Sequence, residues 1–107
     1  MRCHLFLLAC VTSAIAFAGS ARVTAVRTPA SGLQPQSAVD EKGVVHLIYF
    51  KGAAGNGDIF YVRTSDGGAS FSPAIKVNSS AESAVAAGNI RGPHLAVGKN
   101  GRAHVSW

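Results

Sequence analysis

Thr64-Ser65-Asp66-Gly67-Gly68-Ala69-Ser70-Phe71 decides how the rest of the chain is read. A carboxylate set among hydroxyl residues and followed by a glycine pair is the composition of a tight turn. The aspartate accepts hydrogen bonds from the turn's own N–H groups, and glycine takes up the positive φ that such turns require. The stretch therefore predicts a hairpin connection in which Ser70 bonds back to the loop and Phe71 leaves the turn to pack against a sheet. On that chemistry Asp66 is structural rather than catalytic.

Working outward, short strands are predicted at Ser37 to Val39, Val44 to Phe50, Ile59 to Thr64 and Pro73 to Val77, each bounded by Gly, Asp or Asn. Four strands in so short a span read as one antiparallel meander. Within Val44-Val45-His46-Leu47-Ile48-Tyr49-Phe50 nearly every residue is apolar, so this strand is expected to be covered on both faces. A sandwich interior and a propeller blade would each cover it. An internal repeat chooses between them: Pro35 to Tyr49 aligns without a gap on Pro93 to Trp107, at a constant offset of 58 residues. Pro, Ala, Val, Gly and His recur at matching positions, and a strand-and-turn repeat of this size is what propeller blades give. His46 and His104 occupy matching positions and read as packing residues. Between the copies, Ser79 to Asn89 is small and weakly polar; it reads as a connecting loop, with one helical turn over Ala81 to Ala87 as the alternative.

The stretch 64–71 resembles the Asp-box of sialidase-like proteins, Ser/Thr-x-Asp-x-Gly-x-Thr/Ser-aromatic, with Phe71 where Trp is usual. The resemblance runs over residues 33–107. It implies an all-β fold, an Asp-box β-propeller that is six-bladed when complete, with 33–78 as its first blade. Residues 79–107 would then be an inter-blade loop and the start of a second blade. In that family the box lies on the propeller edge away from the active site, so Thr64, Asp66, Gly68, Ser70 and Phe71 carry over as structural residues. The second copy stops at Trp107 within its second strand, so the chain is expected to be a fragment that lacks the remainder of the propeller.

For function, the resemblance implies an exo-acting glycoside hydrolase on sialic acid or related glycan termini, with a carbohydrate or glycoconjugate as partner. Family sialidases grip the substrate carboxylate with three arginines, use a Tyr–Glu pair as nucleophile and an Asp as acid/base. The first of those arginines belongs to an Arg-Ile-Pro motif whose proline stands eight residues before the turn glycine. Pro35 and Gly43 keep that spacing here, but Leu33 holds the arginine position. Arg27-Thr28-Pro29 has the motif's shape at another distance, while Arg91-Gly92-Pro93 has both shape and spacing in the second copy. Arg91 and, after it, Arg27 are thus the candidate substrate-binding residues. Asp58 lies near where the family's acid/base loop lies and is the catalytic candidate, although it also suits the start of a strand. Tyr49 and Tyr61 fall in early strands, whereas the family's nucleophilic Tyr comes from a late blade. Leu33 favours an alternative: a non-catalytic propeller that binds glycans or a protein partner. A truncated product without activity of its own is a third reading. No histidine or carboxylate set stands at metal-ligand spacing, and no cofactor is called for.

The N-terminus supplies the expected location. Met1, Arg2 and His4 precede an apolar run from Leu5 to Ala18, and Ala16-Phe17-Ala18 before Gly19 gives a small-x-small cleavage pattern. Residues 1–18 read as a signal peptide, too short to span a bilayer, and the product as secreted or periplasmic. A lipoprotein-like Leu7-Leu8-Ala9-Cys10 is the alternative processing site. Cys3 and Cys10 both lie in this segment, so a processed chain has no disulfide. Residues 19–32, interrupted by Pro29 and Gly32, read as a leader strand or linker. Loss of Arg2 lowers the formal charge from +5 to +4. The remaining basic residues are spread singly, which argues against a nucleic-acid surface.

Overall fold

The computed structural model describes residues 19–88 and 91–107; the expected signal peptide at 1–18 lies outside them. The described chain is all-β, built from two antiparallel sheets, neither of which closes on itself. The first is a meander of β1 (Leu33–Val39), β2 (Val45–Ala53), β3 (Asn56–Thr64) and β4 (Ile75–Lys76), in that spatial order. The second is a hairpin of β5 (His94–Val97) and β6 (Ala103–Ser106).

The central pair, β2 and β3, runs from Val45 opposite Thr64 to Ala53 opposite Asn56 and turns through Ala54-Gly55. Both strands are longer than their apolar stretches predict, because the ladder continues through Gly52 and Gly57, glycines that sequence alone reads as loop. β1 starts at Leu33 rather than Ser37 and contains Pro35. An edge strand tolerates a proline because one side of it has no ladder to donate to. A bulge between Leu33 and Gln36, with Gln34 at φ 46°, absorbs the irregularity. β4 is shorter than Pro73 to Val77, pairing only through Lys76 with Phe60 and Ile75 with Tyr61.

The repeat seen in the sequence is reproduced residue for residue in the strand register. Gln36, Ser37, Ala38 and Val39 pair with Ile48, Leu47, His46 and Val45. At the 58-residue offset, His94, Leu95, Ala96 and Val97 pair with Ser106, Val105, His104 and Ala103. The connecting turns match as well. Gly43 and Gly101 both sit at positive φ, 78° and 67°, and the Asp40 N–H bond to Val44 O (3.0 Å) recurs from Gly98 to Arg102 O (2.8 Å).

One face of the meander carries the core: Ile48, Phe50 and Ile59, joined by Ala84, are fully buried, and Tyr61, Val77, Ala86, Leu95 and Val105 pack against them. Each large apolar side chain so covered stabilises the fold by about 1.5–3 kcal/mol. The hairpin β5–β6 thus lies over this face of the first sheet. On the opposite face Tyr49 and Val62 are buried. There the approach of Gly32 to the Tyr49 ring leaves no room for a side chain on residue 32. Residues 19–32 form no strand; they run as an extended linker with a short turn at Pro29–Ser31. The loop after β4 forms no helix among the described residues. It is tied down by bridges from Gly57 to Ala84 and from Ala87 to Arg91.

Candidate functional site

The turn at 64–71 connects β3 to β4 and is closed from within. Thr64 is buried, and its hydroxyl donates to Asp66 Oδ1 (2.7 Å) while accepting from the Gly68 amide (3.0 Å). Asp66 Oδ1 also accepts the Ser70 amide (2.9 Å), and its Oδ2 accepts the Ser70 hydroxyl. Gly67 and Gly68 take φ of 69° and 88°, so the glycine pair answers the backbone requirement read from the sequence. Phe71 is half-buried and lines a groove with Val26, Val45 and Leu47.

These donors hold the Asp66 carboxyl well below its ordinary value of 3.8, the Ser70 hydroxyl contributing most and Thr64 next. A depressed folded-state value means that the contribution to stability is present above about pH 4 and lost as the pH falls further. Asp66→Asn is therefore expected to melt lower than the native chain at pH 7 and to flatten the acid side of its stability profile, read by thermal unfolding from pH 7 to 2. Thr64→Val is expected to lose about 1 to 2 kcal/mol, because it orphans the Gly68 amide. An unchanged profile in Asp66→Asn would show that the carboxylate does not close the turn.

Asp58 lies in β3 and is half-buried. Its Oδ1 accepts from Asn78 Nδ2 (2.8 Å) and from the Glu82 amide (2.9 Å), with Lys76 Nζ at 3.8 Å. The Asn78 bond, then the Glu82 bond, hold this carboxyl below its ordinary value. A carboxylate so held fixes the loop after β4; a general acid at neutral pH needs the opposite shift. Asn78 is the residue that sequence reading passed over. It is buried, accepts the Ile59 amide at Oδ1 (2.9 Å), and donates through Nδ2 to Asp58, Ser80 O (2.7 Å) and Ser83 Oγ (3.2 Å).

The two repeated histidines part company. His46 is buried, with Nδ1 2.7 Å from the Tyr61 hydroxyl and Nε2 2.9 Å from Asp40 Oδ2. Asp40 Oδ1 in turn accepts the Lys42 and Val44 amides, and the His46 bond leads the causes that lower its pKa. His104 is exposed, contrary to the packing role expected of it, because it lies on the face of β5–β6 turned away from the core; Gly98 stands where Asp40 stands in the first copy, so its ring also has no carboxylate there. Tyr49 is buried, which pushes its phenol's pKa up and away from the ionised form a nucleophile needs.

Arg91 and Arg27 line separate clefts. Arg91 is exposed beside Gln34, Gln36, Gly88, Pro93 and His94, at the seam between the two copies. There Gln34 Nε2 donates to Gly88 O (2.9 Å) and Gln36 Oε1 accepts the Leu95 amide (3.1 Å), so both glutamines are fixed. Arg27 lies along the groove that contains Gly67, Gly68 and Phe71. Asp58 lines neither cleft, so the candidate acid/base and the candidate arginines do not share a cleft among the described residues. Also among the described residues, no group of three or more metal-ligating side chains occurs, and no helix is long and apolar enough to cross a membrane. No family model matches the chain, and neither the curated proteins nor the solved structures give a significant match.

Proposed function

We propose that this is a secreted, sialidase-like Asp-box β-propeller protein that recognises a carboxylated glycan terminus, with Arg91 as the residue that meets the anion. The observation that carries the family reading is the pairing of the 58-residue repeat, kept in strand register, with the Thr64–Asp66–Ser70 closure of the box turn. The ligand reading rests on Arg91. It enters the innermost strand of the second copy at the position that Leu33 holds in the first, so the hairpin itself does not require a basic residue there. Its cleft is lined by amide, glycine, proline and imidazole groups with no carboxylate, and Arg91 makes no ion pair among the described residues. A planar guanidinium in that setting can take a sugar carboxylate through two parallel N–H bonds, which a lysine cannot reproduce.

Binding is favoured over hydrolysis because Asp58, the acid/base candidate, is committed to Asn78 and Glu82. The test is titration calorimetry with N-acetylneuraminic acid and with its neutral methyl ester. Arg91→Lys is expected to weaken binding of the acid by roughly tenfold or more while leaving the circular dichroism spectrum unchanged. Equal affinity of the native chain for acid and ester would overturn the reading. Release of a fluorophore from a sialoside by the native chain, lost in Asp58→Asn, would replace binding by hydrolysis.

A further inference from the structure

The cleft that holds Arg91 is walled by equivalent stretches of the two copies, and its walls carry different chemistry. At the 58-residue offset Pro35 corresponds to Pro93, but Leu33, Gln34 and Gln36 correspond to Arg91, Gly92 and His94. The walls meet at these equivalents. Gln34 Oε1 approaches Gly92 so closely that no side chain fits on residue 92, and Gln36 Nε2 lies 3.3 Å from His94 Nδ1.

The bonds of Gln36 fix the state of His94. A backbone amide can only donate, so the Leu95 N–H, 3.1 Å from Gln36 Oε1, holds the oxygen end of the carboxamide. The nitrogen end is left facing His94 Nδ1, and it too can only donate. Nδ1 must therefore accept, and a neutral imidazole that accepts at Nδ1 carries its hydrogen at Nε2. Among the described residues that Nε2–H has no hydrogen-bond partner, and His94 is exposed in the same cleft as Arg91. The imidazole is held from two sides, by half-buried Gln36 and by a backbone paired with Ser106 in the β5–β6 ladder.

We propose that His94 is a second ligand-contacting residue of this cleft. Its Nε2–H donates to a neutral oxygen, hydroxyl or ether, that stands beside the carboxylate held by Arg91, and Gln36 is the positioning residue that sets the tautomer. This role rests on the glycan reading of the cleft. A lone guanidinium takes any carboxylate; a donor fixed beside it favours those that carry an acceptor oxygen next to the charge. In the opposite tautomer Nε2 would turn a lone pair on that oxygen and oppose binding. The first copy has Leu33 and Gln36 at the matching positions, so the strand itself requires neither the cation nor the imidazole.

Two measurements at pH 9, well above the ordinary imidazole range, test it. Nitrogen NMR of the imidazoles reads the tautomer without any ligand. His94 is expected to carry its hydrogen at Nε2 in the native chain. Gln36→Glu still offers Leu95 an acceptor but turns a second one on Nδ1, and should move the hydrogen to that nitrogen. A native His94 protonated at Nδ1, or one unmoved by Gln36→Glu, would overturn the positioning role. Titration with N-acetylneuraminic acid reads the contact. His94→Phe is expected to weaken binding roughly threefold to tenfold, the worth of one hydrogen bond, with an unchanged circular dichroism spectrum. His94→Gln, whose amide N–H reaches about as far as Nε2, should retain most of the affinity. If Arg91→Lys weakens binding while His94→Phe binds as the native chain does, His94 is no ligand contact and the Arg91 reading stands. If the native chain does not distinguish the acid from its methyl ester, the Arg91 reading fails and the contact proposed for His94 fails with it.

Discussion

Replacing Gly57 with alanine is expected to destabilise the chain by about 3 kcal/mol, at the upper end of what overpacking a core usually costs. Gly57 is buried in β3 opposite Gly52 and exchanges backbone hydrogen bonds with Ala84 in both directions, at 2.9 and 3.0 Å. A Cβ there would lie 2.6 Å from the Lys51 carbonyl oxygen and 2.7 Å from Phe50 Cε2, with Phe50 Cζ nearer still. The ring has no free volume to retreat into, because Phe50 belongs to the fully buried cluster with Ile48, Ile59 and Ala84. The carbonyl belongs to the β2 backbone and moves only with the ladder. Chemical denaturation of the native chain and the variant measures the loss. Phe50→Leu in the Gly57→Ala background is expected to recover part of it, and a double-mutant cycle reads the coupling. Additive effects in that cycle would show that the ring is not what Gly57 makes room for.

Asn78→Ala is expected to lose about 2 to 3 kcal/mol, mainly because the amide of fully buried Ile59 loses its acceptor with no water to replace it. The same change releases Asp58, Ser80 and Ser83, so the loop that carries Ala84 and Ala86 onto the core should loosen with it. Hydrogen exchange distinguishes this from a uniform loss of stability: Ile59 and Ala84 amides should lose more protection than those of the β1–β2 ladder. Asn78→Asp keeps the acceptor for Ile59 but sets a second carboxylate against Asp58. It is expected to be destabilised at pH 7 and to recover partly as the pH is lowered towards 4. Equal protection at all these amides in Asn78→Ala would mean that the side chain does not clasp the loop.

The acid-side behaviour of the chain follows from the same kind of bond. Asp40, Asp58 and Asp66 are all held below their ordinary value, chiefly by side-chain partners: His46, Asn78 and Ser70 respectively. Each secures a different connection, namely the β1–β2 turn, the loop after β4 and the box turn. Protonation below pH 4 is therefore expected to open connections before it disturbs the strands, whose cohesion is apolar and indifferent to pH.

What the sequence determined by itself was local. Gly67-Gly68 beside Asp66 dictates a turn because only glycine enters positive φ without strain, and the hydroxyls of Thr64 and Ser70 reach the carboxylate across two and four residues. The repeat offset dictated that β5–β6 copy β1–β2, since the side-chain alternation of a strand fixes its register once a buried face is specified. The apolar run from Val44 to Phe50 marked a strand covered on both faces, which Ile48, Tyr49 and Phe50 are, whereas Val45 and Leu47 are only half-buried. Arg91 and Asp58 could be named from spacing, but not where they stand relative to each other.

Tertiary structure decided the rest, because each remaining feature depends on residues that only folding makes neighbours. Gly52 and Gly57 extend the central hairpin although glycine ordinarily weakens a strand, and Gly57 does so because Phe50 and the Ala84 backbone occupy the space where a side chain would stand. Asn78 carries no motif; its value lies in being within reach of Ile59, Asp58, Ser80 and Ser83 at once. His46 and His104 are identical in sequence pattern, yet one is buried between Asp40 and Tyr61 and the other is exposed beside Gly98. A repeat passes on backbone register, which each copy forms from its own residues. Burial is supplied from outside the copy, and a side-chain partner hangs on a single residue, Asp40 in one copy and Gly98 in the other; there the two differ.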